Sequence, residues 1–319
     1  MDLKQLVMLG LQVSIVCTVF GYGLNTTTAA LLDVLRRPAL LVRSVICVLV
    51  IVPAVAFALT RFFDIRHEVE VALVALAISP IPPLLPMKEM RAGGRISYGL
   101  GLFALLALLS VATIPLAIEV LERLFNRPLA VAPFAVARLV LVTVLVPLVA
   151  GIFVHARAPV MAERIAPGLS LGAKLLLAVA ATALLAGVWR SVWEATGQGA
   201  VVAITVFIVA GLAVGHLLGG PERETSLVLG MSCACRHPAI AFAIASANFP
   251  DQRFGGAIIL YLLLSLLIGV PYVDGTGRAL PSELDGPAFR AQRCKPTRLE
   301  MNGGRGPVEC GSRSSGVRT

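Results

Sequence analysis

Charged and aromatic side chains are scarce in this protein. Asp, Glu, Lys and Arg make up 14% of its 319 residues, and Phe, Trp and Tyr make up 6%. Hydrophobic residues reach 57% and the mean hydropathy is +0.88, values far outside the range of soluble globular proteins. This composition excludes a soluble enzyme, a disordered scaffold and a nucleic-acid binder that reads bases from a basic face. It predicts a polytopic membrane protein with the lipid bilayer as its surroundings.

The sequence also lacks motifs by which membrane enzymes and metal sites are recognised. It contains no HExxH, DDxxD or Walker pattern, and its apolar stretches hold no pair of carboxylates. Cys233, Cys235 and His237 form a CxCxH pattern, but all three lie on one interrupted helix and no second cluster accompanies them. We therefore expect no enzymatic activity, no cofactor and no metal.

Apolar windows long enough to cross a bilayer fill the first 273 residues. Nine such windows cover residues 5–25, 39–60, 69–86, 97–121, 131–154, 168–189, 200–218, 225–247 and 254–273. Lipid forces each span to satisfy its own backbone hydrogen bonds as a helix. The predicted fold is therefore an all-α transmembrane domain of nine helices over residues 1–273. Residues 274–319 contain 8 Gly and 4 Pro without apolar periodicity, which predicts a disordered tail.

The distribution of Lys and Arg predicts the orientation of the chain. Loops at 26–38, 87–96, 155–167 and 219–224 carry eight basic residues, the opposite loops carry six, and the tail adds eight. Cytoplasmic segments of membrane proteins collect positive charge. We expect a multi-pass protein of the inner (plasma) membrane, with the N-terminus outside and the C-terminal tail in the cytoplasm.

The third window cannot be a continuous helix. Its last seven residues contain four prolines: Pro80, Pro82, Pro83 and Pro86. Proline removes a backbone donor and clashes with the preceding helical turn. The helix is therefore predicted to break near Ser79.

The eighth window is interrupted by Arg236, His237 and Pro238 at the middle of an apolar stretch. Proline restricts the residue before it, and an ionised residue inside a membrane span indicates a functional site. Two broken segments at corresponding positions of two halves are typical of a transporter binding site near the bilayer midplane.

Several stretches of the sequence match one known family in order and spacing. They are GYGLNTTTAALLDVLRRPALLV at 21–42, Pro53 in the next span, SPIPPLLPMKEMRAGG at 79–94 and RHPAIAFAIASANF at 236–249. The chain thereby resembles the bile acid:sodium symporter family. The resemblance implies two inverted five-helix repeats, divided into a panel and a core, with two broken helices crossing in the core. On that plan this chain lacks the first helix of the family.

The resemblance also shows where this chain departs from the family. The sodium-binding Glu and Gln of the second crossover fall at Ser232 and Arg236. The Ser-Asn pair of the first falls at Leu85 and Pro86, and the hydroxyl residues of the next helix fall at Gly99 and Phe103. A hard cation needs several oxygen ligands, so sodium coupling through the family sites is not expected. Arg236 instead places a permanent positive charge where relatives hold a mobile cation.

The predicted substrate site gathers around the two breaks and comprises Arg236, His237, Pro238, Ser232, Pro82, Pro83, Pro86 and Lys88. A guanidinium can donate two parallel hydrogen bonds to a carboxylate or phosphate, and half-helix N-termini add partial positive charge. His237 either responds to pH or stays neutral, hydrogen-bonded to a freed carbonyl. Lys88 either extends a basic path or is an ordinary residue of the cytoplasmic side. The positive charges favour an anionic partner.

We predict from these features a secondary transporter of a small organic anion that works by alternating access. Two alternatives stay open at this level. One is a sodium-coupled bile-acid-type symporter that uses other ligands, and the other is a membrane sensor that binds ligand without moving it. Nucleic acid is not an expected partner, and the sequence predicts no oligomeric state.

Overall fold

The computed structural model describes residues 3–26, 32–82, 95–125, 138, 140–197, 199–249 and 254–277. Within these ranges the chain forms ten longer helices, one short 3-10 helix at Asp33–Arg36 and no strand. In chain order they are α1 (Leu3–Leu24), α2 (Pro38–Phe62), α3 (His67–Ile78), α4 (Ile96–Phe125), α5 (Leu141–Arg157), α6 (Pro159–Glu194), α7 (Ala200–Leu218), α8 (Arg223–Ala234), α9 (Pro238–Asn248) and α10 (Gly255–Gly277). The predicted tail lies outside the described residues from 278 onward, and α10 runs four residues past the predicted domain end.

Among the described residues, seven helical segments are long and apolar enough to cross a membrane. They are Gln5–Leu24, Pro38–Phe62, Ser97–Arg123, Pro159–Gly187, Ala200–Leu218, Arg223–Ser246 and Gly255–Thr276. The prediction of an all-α, multi-pass membrane protein is thus confirmed. Helices α3 and α5 account for parts of the third and fifth predicted windows, and residues 83–86 and 131–137 of those windows lie outside the described residues. The nine-span count and the inverted repeat stay predictions.

The helices pack in two groups. Helix α1 packs against α5 and α6, whereas α2, α3, α4, α7, α8, α9 and α10 pack mainly among themselves. In the first group Gly23 of α1 faces Gly151 of α5 so closely that a Cβ on Gly151 would overlap the carbonyl of Phe20. Small residues let membrane helices approach backbone to backbone.

The second group is built around α8, which α7 approaches along a glycine seam. Gly211 and Gly215 lie four residues apart on one face of α7, and Gly219 follows at the same spacing as its C-cap. A Cβ added at Gly215 would lie 2.5 Å from the carbonyl oxygen of Leu229 on α8. The seam brings the two backbones together, and every residue from Thr225 to Ala234 is buried as a result.

Helices α2 and α5 each contain a π-helical turn just before a Val-Pro pair. In α2 the turn is Cys47–Ile51, and the N–H of Val52 donates to the carbonyl of Cys47. The next residue, Pro53, has no N–H. The carbonyl of Val48 is therefore left without a donor from its own helix.

Candidate functional site

The first predicted break occurs where the prolines place it. Helix α3 ends at Ile78, and Ser79 takes an extended conformation with φ −71° and ψ 150°. The Ser79 hydroxyl donates to the carbonyl of Leu76 at 2.7 Å, which satisfies one of the last acceptors of the helix. Pro80 and Pro82 follow without backbone donors, so the chain cannot resume a helix directly.

The second predicted break is also present. Helix α8 ends at Ala234, Cys235 is extended with φ −102° and ψ 126°, and α9 begins at Pro238. Arg236 and His237 form the connection between these two half-helices. The proline at the first position of α9 has the backbone angle that a helix start requires and lacks a donor that would be unpaired there anyway.

The two breaks contact each other through hydrogen bonds. The backbone N–H of His237 donates to the carbonyl of Pro80 at 2.9 Å and approaches the hydroxyl oxygen of Ser79 at 3.1 Å. Polar backbone groups freed inside a membrane protein must find partners away from lipid. Here the groups freed by one break satisfy those freed by the other, and the connection from 79 to 82 meets the connection from 235 to 237.

Arg236 lies at the centre of this contact and is 1% exposed. Its Nη1 donates to the carbonyl of Ser79 at 3.2 Å, and its Nη2 donates to the carbonyl of Val48 at 3.0 Å. Its Nε has no hydrogen-bond partner, and no carboxylate of the described residues pairs with the guanidinium. The side chain thus binds carbonyl oxygens from two other segments, in the manner of a coordinated cation.

The ring of His237 makes a contact that neither interpretation from the sequence included. Its Nδ1 accepts a long hydrogen bond of 3.4 Å from the backbone N–H of Ile240, which caps the start of α9. That bond requires an unprotonated Nδ1, so the neutral ring carries its proton on Nε2. This Nε2 has no partner among the described residues. The backbone of His237, and not its ring, pairs with the freed carbonyl of Pro80.

The remaining predicted residues are only partly in view. Ser232 is buried on α8, four positions before Arg236 in the sequence, and Pro82 is half-buried beside the first break. Pro83, Pro86 and Lys88 lie outside the described residues. Gly99 and Phe103, which the resemblance aligns with hydroxyl residues of the family, are both buried on α4 and offer no side-chain oxygen.

Three residues of the site were not found by sequence reasoning. The carbonyl of Val48 binds Arg236, the carbonyl of Ser79 does the same, and the hydroxyl of Tyr261 on α10 donates to the carbonyl of Ala234 at 2.6 Å. One signal for Val48 was present in the sequence, because Pro53 stands five positions later and removes a donor. Tyr261 stands as a polar group within an apolar span, which is also a usable signal.

Sequence reasoning also missed a GxSxG pattern at residues 168 to 172. In hydrolases such a serine sits on a sharp turn between a strand and a helix. Ser170 lies within the continuous helix α6, and Gly168 and Gly172 have open space where a Cβ would be. This serine therefore lacks the geometry of a nucleophile.

The contact between the two breaks, here called the crossover, is closed to solvent in the part of the chain that the structure describes. Shallow grooves run along α5 from Leu145 to Phe153 and along the end of α6 from Ala186 to Trp193, and neither borders Arg236. Ser79, Arg236 and His237 are each less than 5% exposed. Access to the guanidinium therefore requires movement of the surrounding helices.

Comparison with known proteins agrees with the resemblance in the sequence. No curated protein matches the chain. The sequence profile of the sodium bile acid symporter family matches residues 12–195, which is more than half of the chain. The matched region begins within α1, extends through the end of α6 and includes the first break, whereas Arg236 and the second break lie beyond it. The protein belongs to the sodium bile acid symporter family.

Proposed function

We propose that this protein is a secondary transporter that moves a small organic anion by alternating access around the two breaks. A membrane symporter or transporter is what its family implies. The observation that supports an anionic substrate is the guanidinium of Arg236. It is buried between the two breaks, its Nε–H is unused, and it has no acidic partner among the described residues.

The electrostatics of a buried arginine favour a negatively charged ligand. Removing an ion from water costs several kcal/mol, and an unpaired charge keeps most of that penalty. Two carbonyl groups offset part of the penalty because their dipoles point negative ends at the guanidinium. An arriving carboxylate or similar group offsets more, because it carries a full charge and can accept from the free Nε–H.

The same contacts support independence from sodium. Carbonyl oxygens are ligands of hard cations, and two of them here already bind the guanidinium. At the aligned positions Gly99 and Phe103 supply no side-chain oxygen. We infer that Arg236 replaces the bound cation, so that the positive charge at the crossover is permanent.

Sodium replacement tests this proposal directly. Purified protein in proteoliposomes is screened with small carboxylates, and uptake of those that bind is followed with sodium, potassium or choline at constant pH. We expect binding and uptake to agree within a factor of about two, a difference below about 0.6 kcal/mol. A tenfold dependence on sodium would reject the replacement of the cation by Arg236.

The second candidate is a sodium-coupled symporter that uses ligands other than those aligned above. The family match favours it, because sodium symport is the activity named for the family. Tenfold sodium dependence, with uptake intact, would select this candidate. Binding of a carboxylate without any accumulation would instead select a sensor.

For orientation we propose the N-terminus outside and the C-terminus in the cytoplasm of the inner membrane. An ion-pair network supports placing three of the basic loops at one end of the bundle. Arg37 pairs with Glu222 at 2.8 Å, and Arg95 approaches Asp33 at 3.5 Å and Glu222 at 3.7 Å. Labelling of single cysteines introduced at Arg95 and Arg190 by a membrane-impermeant maleimide, in intact cells and in inverted vesicles, tests which end is cytoplasmic.

A further inference from the structure

Two cysteines from distant parts of the chain meet inside the second group of helices. Cys47 begins the π-helical turn of α2, and Cys233 is the second-last residue of α8. They are 186 positions apart in sequence, yet their Sγ atoms lie 3.0 Å from each other, and both residues are 0% exposed. Neither thiol takes part in the proposed transport.

The backbone on both sides of this pair is held by neighbouring contacts. The guanidinium of Arg236 binds the carbonyl of Val48, one residue after Cys47. The hydroxyl of Tyr261 binds the carbonyl of Ala234, one residue after Cys233. Helix α7 also packs closely against the backbone of Cys233, because a Cβ added at Gly211 would lie 3.0 Å from its carbonyl oxygen. The two thiols therefore face each other in an arrangement that the surrounding helices impose.

We propose that Cys47 and Cys233 form a reversible disulfide between α2 and α8, with an organic hydroperoxide dissolved in the bilayer as the oxidant. A disulfide has an S–S distance of about 2.05 Å, so the sulfurs need to approach by only about 1 Å. Because the link stands beside the contact between Val48 and Arg236, it holds that carbonyl against the guanidinium. The oxidised protein is then locked in the closed arrangement of the crossover.

The chemistry balances with one hydroperoxide for each pair of thiols. One thiol sulfur attacks the terminal oxygen of the hydroperoxide and the O–O bond breaks. The proton of that thiol passes to the departing alkoxide, which gives a sulfenic acid and an alcohol. The second thiol then attacks the sulfenic sulfur, the S–O bond breaks, the S–S bond forms and water leaves. The two thiols give up two electrons and two protons in total, and the hydroperoxide is reduced to alcohol and water.

Peptide mapping of the full-length protein tests the proposal. The protein is purified reduced, placed in lipid nanodiscs and treated with cumene hydroperoxide, and the remaining thiols are then alkylated after denaturation. We expect a peptide pair joined through Cys47 and Cys233, lighter by two hydrogens and released by a phosphine reductant. The cross-link closes a long loop, so the melting temperature should rise by at least about 3 °C and return on reduction.

Matched cysteine variants separate this pair from its neighbours. Cys235→Ser and Cys17→Ser should leave both the cross-link and the temperature shift unchanged, whereas Cys47→Ser should abolish both. A bridge between Cys233 and Cys235, or full alkylation of Cys47 and Cys233 after treatment, would overturn the proposal. The map of the unsubstituted chain decides the matter even if Cys47→Ser fails to fold.

Discussion

In soluble proteins the most apolar segments are usually the most buried. The broken span α8–α9 and the long helix α6 show the opposite relation. The span Arg223–Ser246 has the lowest mean hydropathy of the seven, 1.5, yet 78% of its window is buried inside the protein. The span Pro159–Gly187 has a mean hydropathy of 2.0, and only 11% of its window is buried. Lipid already provides an apolar environment, so large apolar side chains gain little by facing other helices.

What a membrane protein must bury is whatever lipid cannot accept. Helix α8 carries small residues that admit close backbones, and it ends just before the buried charge of Arg236. Helix α6 carries Leu171, Leu175 and Val179 on its exposed side. The contrast teaches that the least apolar span marks the interior of the bundle, and with it the candidate site.

The largest expected effect comes from removing the buried charge. Arg236→Gln should weaken binding of an anionic substrate by about 2–4 kcal/mol, because a desolvated charge pair loses one partner. Arg236→Lys keeps the charge and should lose less. Lys174→Gln on α6 is the matched control and should leave affinity unchanged. Calorimetry at constant pH and ionic strength measures all three, and an Arg236→Gln protein that folds and binds as tightly as the parent would remove Arg236 from the site.

A double substitution sharpens the same contrast. Ser232→Glu combined with Arg236→Gln places one oxygen-bearing side chain near the end of α8 and one in the connection to α9, at the two positions that the resemblance aligns with sodium ligands of the family. We expect some cation dependence of ligand binding to appear in this variant and to be absent in Arg236→Gln alone. Identical titrations of the two variants in sodium and in choline would contradict the alignment.

Glycine-to-alanine substitutions should change stability in opposite directions at the contact between α7 and α8 and on the open face of α6. Gly215→Ala on α7 forces a Cβ against the backbone of α8 and should destabilise the protein by about 1–3 kcal/mol. Gly172→Ala on α6 meets open space and should stabilise it by about 0.5–1 kcal/mol through helix propensity alone. Thermal unfolding in one detergent measures both. Equal shifts for the two would mean that α7 and α8 do not pack along the glycine seam.

A smaller effect is expected from the hydroxyl that links the two breaks. Ser79→Ala removes an acceptor for the N–H of His237 and a donor to Leu76, and should cost about 1 kcal/mol. The N–H of His237 keeps the carbonyl of Pro80, which limits the loss. Thr182→Val on α6 removes a hydroxyl bonded only to its own helix, at Ala178, and should change stability by less than about 0.5 kcal/mol. A larger loss of stability for Thr182→Val than for Ser79→Ala would contradict this expected order.

The smallest effect belongs to the ion pair at the entrance to α8. Arg37 and Glu222 are partly exposed, so solvent screens their attraction. A double-mutant cycle with Arg37→Gln and Glu222→Gln should give a coupling of about 0.2–1 kcal/mol that falls as salt is added. Coupling that is larger and insensitive to salt would show that water does not reach this end of α8.

Two local properties of the sequence were enough to predict the class of fold and the position of both breaks. Long apolar runs imply helices, since lipid leaves backbone groups no other partner. The prolines at 80 and 82 and the proline at 238 mark the two breaks, because the missing N–H and the ring act on the adjacent turn. A lone proline is not sufficient, since Pro115, Pro167 and Pro271 lie inside continuous helices. The order of motifs along the chain was enough to predict the family, which the profile match over residues 12–195 confirms.

Only the tertiary structure decided which groups meet where the two breaks contact each other. The proline pattern predicts that carbonyls near Ser79 are freed, but not that Arg236 binds one of them together with Val48. It likewise does not predict that the ring of His237 caps its own helix, or that Cys47 faces Cys233. The partner of a freed group depends on which helices pack beside it, and the glycine seam and the π-helical turn determine that packing across positions far apart in the chain.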